Sequence, residues 1–350
     1  MRKASTESSI PCRSKGNELL VYAPNWLGDA VMATPFLFAL RRSFPEAAIT
    51  VLCRRYAADV LRGSPAFDSL LVFDGASVRA RIAAVRARRP AAGYDACFVL
   101  PPSFSSALVS CFSRAHRRIG YGGGWRGALL TDALPASLYR ATHLSTAYVR
   151  LLERFTGTPE HDIRYPVVTP PDSWEETSRR VSGGRRYFVC APGAVYGASK
   201  VWPHDRFATF VRRLAERTGW SPVIVGREAE RAAASTVIER AGAGGTNCAG
   251  ALSVAELISV LRGSIVTIGN DSGPVHISAA LGRPTVAIFG PSSAAWTAPR
   301  GPAVRIIAAN IECAPCFQRE CPRGEAECLS RVPVDVVYRE TCSLVQEVQT

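Results

Sequence analysis

Lysine is nearly absent from this chain. Lys3, Lys15 and Lys200 are the only lysines among forty-two basic residues, so almost every cation is an arginine. Two of the three fall in the first sixteen residues, which singles out Lys200. Long apolar runs are lacking too: no stretch approaches the roughly 20 apolar residues that cross a bilayer as a helix. The opening MRKASTESSIPCRSKG has no apolar core, so it reads as a disordered tail over residues 1–16 rather than a secretory signal. Neither half carries G-x-G-x-x-G after its first strand, which speaks against a dinucleotide-dependent dehydrogenase. No dense Lys/Arg run and no nucleic-acid motif is present. The net charge of +13 therefore reads as spread along the chain, suited to an anionic membrane face or a phosphorylated substrate rather than to nucleic acid. Eleven cysteines, an odd number without a signal, fit a reducing compartment better than a disulfide framework.

What is present is an α/β pattern. At 350 residues, 47% hydrophobic and 20% charged, the chain has the length for two globular domains. Short β-branched runs alternate with helical periodicity. In the first half strands are expected at 18–22, 48–53, 70–73 and 96–100, with helices at 30–43, 78–89 and 143–155. Pro166, Pro170, Pro171, Gly183 and Gly184 punctuate residues 165–184, where a boundary with a short helix inside it is expected. Strands then resume at 186–190 and 221–225, around an amphipathic helix at 204–218. This predicts an N-terminal domain over 17–168, a linker over 169–184 and a C-terminal domain over 185–350.

Residues 264–293 organise the second half. A strand over 264–268 runs into the turn Asn270-Asp271-Ser272-Gly273, then a helix opened by Pro274 and ended by Gly282, then a strand over 285–289. A helix that opens at the carboxyl end of a strand gathers free N–H groups and a positive dipole end, a ready anion site. An ordinary α/β turn with a good N-cap has the same local look. Asp271, Ser272 and His276 at its mouth add chemistry, as does the turn Gly290-Pro291-Ser292-Ser293.

A second centre spans residues 192–203. Gly193 and Ala194 are small enough to let backbone amides approach a ligand, and Lys200 sets a compact cation at the rim; a solvated surface lysine is the alternative. Glu228 opens a helix, either as an acceptor for ligand hydroxyls or as a dipole partner. In the first half Asn25-Trp26-Leu27-Gly28-Asp29 sits at another helix mouth, where Asp29 is either a cap or a reactive carboxylate. Beyond the strand at 96–100 come Ser103 and a glycine-rich stretch with Tyr121, Trp125 and Arg126. That stretch reads either as a lip over a sugar, on whose face aromatic rings stack, or as a packed surface loop.

Together these motifs resemble one family. Asn270-Asp271-Ser272-Gly273-Pro274-Val275-His276 is similar to the D-[ST]-G-x-x-H signature of the ADP-heptose:lipopolysaccharide heptosyltransferases, glycosyltransferase family 9. Residues 192–203 resemble its P-G-A-x-(aromatic)-G-x-x-K-x-W-P loop, and residues 25–29 its N-terminal loop. Pro102-Ser103-Phe104 and Gly124-Trp125-Arg126-Gly127 look most like the heptosyltransferase II members. The resemblance implies the GT-B fold, two Rossmann-like doubly wound α/β domains facing across a cleft. It implies Asp29 as catalytic base and Lys200 on the departing diphosphate. It further implies Gly193, Ala194, Glu228, Asn270, Asp271, Ser272, Gly273 and His276 around ADP-heptose, with Glu228 on the ribose. Asn25, Trp26, Gly28, Ser103, Trp125 and Arg126 fall on the acceptor side.

The implied reaction is inverting transfer of L-glycero-D-manno-heptose to the first heptose of the lipopolysaccharide inner core, on Kdo-lipid A. It would run at the cytoplasmic face of the inner membrane, with no cofactor required for the chemistry. Heptosyltransferase I or III, or another nucleotide-sugar transferase, is the nearest alternative. A non-enzymatic nucleotide- or membrane-binding scaffold is more remote, because a binder has no need of Asp29 opposite a phosphate site.

Cys313-x2-Cys316-x4-Cys321-x6-Cys328 supplies enough thiols for a tetrahedral structural zinc site. Its spacing is not the paired CxxC of a zinc ribbon, so unligated thiols and redox chemistry stay open.

Overall fold

The structure, a computed structural model, describes residues 17–349 apart from Ala76, His161 and Ile163; the expected tail over 1–16 lies outside it. The first half contains β1 (Glu18–Tyr22), α1 (Leu27–Met32), α2 (Thr34–Ser43), β2 (Ala48–Arg54), α3 (Arg55–Leu61), β3 (Ser69–Phe73) and α4 (Val78–Arg88). It continues through β4 (Ala96–Val99), α5 (Phe104–Cys111), β5 (Arg117–Tyr121), β6 (Asp132–Leu134) and α6 (Leu144–Thr156). The second half runs α7 (Trp174–Ser182), β7 (Tyr187–Ala191), α8 (His204–Thr218), β8 (Ser221–Ile224), α9 (Arg231–Ala241), β9 (Thr246–Asn247) and α10 (Val254–Gly263). It closes with β10 (Thr267–Asn270), α11 (Gly273–Ala280), β11 (Thr285–Phe289), α12 (Ala294–Thr297), β12 (Val304–Ala308), α13 (Glu327–Ser330) and α14 (Val334–Gln349).

Each half winds one six-stranded sheet, in the orders β3-β2-β1-β4-β5-β6 and β12-β11-β10-β7-β8-β9. Counted within each half, both follow the Rossmann order 3-2-1-4-5-6, and every strand pair is parallel. Parallel strands are covered by helices on both faces, which is why β4, β7 and β11 are buried from end to end. The winding reverses between β1 and β4, and again between β7 and β10. Ligands bind beyond the carboxyl ends of strands at such a switch point. Residues 25–29, 101–106, 192–203 and 271–273 follow β1, β4, β7 and β10 and emerge there.

One apolar core gathers Leu19, Val21, Phe36, Phe98 and Tyr148 and continues into Ile258, Leu261, Ile277 and Leu281 of the second half. A second core holds Phe188, Trp202, Phe207, Phe210, Ile268 and Ile288. The halves are thus joined by shared burial as well as by the chain.

Three boundaries differ from expectation. The single helix expected over 30–43 is two helices, with Pro35 in the first turn of α2. Proline lacks the N–H that a helix interior needs, so it suits only a fresh start. The strand expected over 264–268 is displaced to Thr267–Asn270, which puts Asn270 inside the sheet. The short helix placed in the linker packs as α7 on α10, so it belongs to the second half. The crossing itself is pinned by the Val167 N–H to Thr34 Oγ1 and the Val168 N–H to the Ala280 carbonyl.

Candidate active site

The mouths of α1 and α11 face each other across the cleft. A Cβ on Gly28 would lie 2.8 Å from the His276 ring, and one on Gly273 would lie 3.1 Å from the Leu27 Cβ. Both glycines are demanded by this close approach.

Asp271, at the end of β10, is the hub of the second-half side. Its carboxylate accepts from the Lys200 ammonium, from Ser292 Oγ at 2.6 Å and from His276 Nε2 at 3.4 Å. Burial by itself would raise the pKa of Asp271. The His276 bond and the Lys200 charge overrule it and leave the carboxylate at about 2, so it stays ionised. Lys200 lies in a short turn (Ala198–Lys200), 4.8 Å from the centre of the Tyr196 ring. Its position is therefore fixed by one anion and one aromatic face.

Asp29 stands opposite this cluster. Trp26 is the N-cap of α1 and contributes no side-chain bond, while Asp29 occupies the third helical position. The helix dipole favours its ionised form, but burial wins. Desolvation, with a smaller push from Asp271, lifts Asp29 to about 6, and His276 and Lys200 oppose it only partly. Of the two roles expected for Asp29, it does not take that of N-cap, which falls to Trp26.

The remaining donor-side residues separate by what their side chains touch. Asn270 is fully buried, takes the Trp202 N–H on Oδ1 at 3.0 Å and gives Nδ2 to the Pro192 carbonyl at 2.6 Å. It staples both ends of the 192–203 loop. Ser272 is the N-cap of α11, yet its hydroxyl is buried and has no partner among the described residues. Glu228 is exposed, paired with Arg231 and set against Gly250. Glu230, two residues on, is the carboxylate over Gly193: a Cβ on Gly193 would fall on it. Ala194 lies half-buried beside it.

On the first-half side Trp26 is half-exposed and Trp125 is 87% exposed. Asn25 accepts from Arg54 Nε at 3.2 Å. Ser103 caps α5 by accepting from the Ser106 N–H. Arg126 is not a free rim cation. It is 5% exposed, and it donates to the Pro101 and Ser103 carbonyls at 3.0 Å, clipping the glycine-rich stretch to the end of β4. Burial lowers its pKa to about 10, and its Nη1 has no partner among the described residues.

Residues 83–327 match the family model described as glycosyltransferase family 9 (heptosyltransferase). The chain belongs to that family. This family 9 protein is 28% identical over 316 residues to lipopolysaccharide heptosyltransferase 2 of Salmonella typhimurium, covering 83% of this chain and 87% of the relative. It is 28% identical over 322 residues to the Escherichia coli lipopolysaccharide heptosyltransferase 2, with the same shares covered. Among solved structures, E. coli ADP-heptose lps heptosyltransferase II aligns with a TM-score of 0.80 at 24% identity, over 95% of this chain and all of that one. A family 9 glycosyl transferase from Veillonella parvula aligns at 0.82 and 20% identity, over 95% and 98%. The expected GT-B arrangement is the observed one.

In this family 9 chain the cysteine segment has a role that its spacing did not announce. Phe317 takes the Tyr196 hydroxyl on its carbonyl at 2.6 Å, Gln318 takes Ser199 Oγ at 2.6 Å, and Arg319 takes the Ser199 N–H at 3.2 Å. The Phe317 N–H returns to the Pro291 carbonyl at 2.8 Å. The segment therefore braces the Lys200 turn and the Ser292 turn at once. Cys313, Cys316, Cys321 and Cys328 all line one small cavity of about 50 Å³. Among the described residues no three His, Cys, Asp or Glu side chains converge as metal ligands. Cys313 is exposed, Cys316 and Cys321 are half-buried, and Cys328 is drawn into the second core.

Proposed function

We propose that the protein is an inverting heptosyltransferase that moves L-glycero-D-manno-heptose from ADP-heptose to the first heptose of the lipopolysaccharide inner core. The observation that carries this is Asp29, a carboxylate near neutrality directly facing Lys200, Asp271 and His276. An acceptor hydroxyl is a poor nucleophile, and Asp29 takes its proton as it attacks the anomeric carbon. Inversion needs that attack from the face opposite the leaving diphosphate, which is the relation between Asp29 and the Lys200 side of the cleft.

The N–H groups at the mouth of α11, the Ser272 hydroxyl and Lys200 receive the diphosphate. Asp271, Ser292 and Tyr196 hold Lys200 where charge grows on departing ADP. Gly193 and Ala194 admit the nucleotide, and Glu230 rather than Glu228 accepts from its ribose. Trp26 and Trp125 meet the acceptor sugars. The protein works at the cytoplasmic face of the inner membrane, where its acceptor is anchored; no described helix is long and apolar enough to cross a membrane.

Incubating the purified chain with a panel of nucleotide sugars and truncated lipopolysaccharide acceptors, read by mass, tests the proposal. One heptose added from ADP-heptose to the acceptor carrying a single heptose is expected. ADP-heptose inert on every acceptor overturns it.

A further inference from the structure

The positive charge is not spread evenly. Residues 75–131 hold nine arginines against one acid, Asp95, a surplus of eight within a chain whose total is +13. The fold uses some of these internally: Arg81 reaches the Tyr22 and Ser105 hydroxyls, Arg117 pairs with Asp132, and Arg126 clips two carbonyls. Arg79, Arg86, Arg88 and Arg114 remain exposed. Three of these lie on α4, which has no acidic residue.

Between α4 and the end of α5 runs an open groove of about 670 Å³, lined by Arg79, Ile82, Ala83, Arg86, Ala87 and Phe112. Arg86 lies over the Phe112 ring, 4.7 Å from its centre. At the other end of α5, Phe104 is 53% exposed. An apolar floor rimmed by guanidinium groups suits a lipid interface, where acyl edges and anionic headgroups are met together. A soluble phosphate compound would have no use for the floor. The placement agrees at one end: Arg81, in the first turn of α4, bonds Tyr22, which ends β1, and Ser105 in the first turn of α5, so the amino-terminal ends of both helices lie at the cleft side, with Arg86 and Phe112 at their far ends.

We propose that the α4–α5 face is the surface by which this protein lies on an anionic lipid bilayer, bringing the first-half side of the cleft to the membrane. The proposal rests on the reading of a lipid-anchored acceptor, but its test does not need turnover. The full chain is sedimented with vesicles of phosphatidylglycerol and phosphatidylcholine that contain no acceptor, and with phosphatidylcholine vesicles alone. Binding to the anionic vesicles only, weakening as salt rises, is expected. Arg79→Glu with Arg86→Glu should weaken it at least about tenfold, and Arg79→Gln with Arg86→Gln by less. Both variants should melt as wild type does. Both should also keep wild-type activity on a lipid-free acceptor fragment while losing it on acceptor embedded in the vesicles. Equal binding by the charge-reversed variant and wild type overturns the proposal, as does equal binding to neutral vesicles. Duplex DNA bound more tightly than the anionic vesicles, and released by the same variant, overturns it in favour of a nucleic-acid surface. A chain that binds anionic vesicles yet transfers no heptose would sink the proposed function and leave this surface standing.

Discussion

At the scale of single residues, the proposed chemistry turns on Asp29. Its pKa of about 6 places a rising limb in kcat/KM centred near pH 6, above which the carboxylate is free to accept a proton. Asp29→Asn should abolish that limb and slow turnover at least about a hundredfold, while ADP-heptose still binds. The linkage runs against stability. A carboxyl raised in the folded state contributes stability below its unfolded value of 3.8, and that contribution is lost as pH rises through about 6. At pH 8 the Asn variant should therefore melt no lower than wild type, with a gain on the order of 1–3 kcal/mol. A lower melting point would return Asp29 to a structural role. Lys200→Ala loses a charge-assisted bond worth roughly 1.5–3 kcal/mol, so kcat/KM should fall about ten- to a hundredfold or slightly more. Unchanged activity would place Lys200 outside the site. The placement of Asp29, Lys200 and Asp271 at strand and helix ends was legible because each sits in a turn whose neighbours announce it; their proposed roles come with the family resemblance. That burial raises Asp29 was not legible, since burial depends on how the whole chain packs around the turn.

At the scale of elements, the donor loop is held by two devices remote in sequence. Asn270 bonds both of its ends, and the cysteine segment carries its middle. Asn270→Ala strands a buried N–H and a buried carbonyl, which costs about 1–3 kcal/mol each in exposed desolvation penalty. The melting temperature should fall, and KM for ADP-heptose should rise as residues 192–203 loosen. A fall in stability with KM unchanged would mean that the loop keeps its shape without the staple. Helices and strands with their own punctuation, such as α8 and β11, stood where the pattern put them. What the pattern could not convey was the partner of a side chain: Glu230 instead of Glu228 over Gly193, or Arg126 turned inward. Those choices are made by contacts across many residues. The clustering of arginine over 75–131, by contrast, is plain in the composition once it is counted by segment rather than over the chain.

At the scale of the whole molecule, the cleft is closed by contacts between the halves that meet beside both catalytic sides. Trp296 and Phe317 meet edge to face, 5.9 Å between centres; Arg140 lies over both rings, 4.7 and 4.9 Å from their centres, and Tyr139 packs on Trp296. Phe317 is the same residue that braces the Lys200 turn, so closure and donor-loop shape share one strut. Another titratable member of the junction is His143. It takes the Ser145 N–H on Nδ1 at 3.2 Å, which leaves the proton on Nε2, donated to the Ala298 carbonyl at 2.9 Å. A second proton would set Nδ1–H against the Ser145 N–H. Burial, assisted by the nearby Arg300 charge, lowers His143 to about 4. A histidine depressed in this way contributes stability that is present above its unfolded value of 6.5 and is lost as pH falls through about 4. The full span is worth on the order of 3 kcal/mol. His143→Gln keeps a donor for Ala298 but cannot titrate. Between pH 7 and pH 4.5 the melting temperature of wild type should therefore fall more steeply than that of the Gln variant. Parallel curves would show that the junction of the two halves does not sense pH through His143.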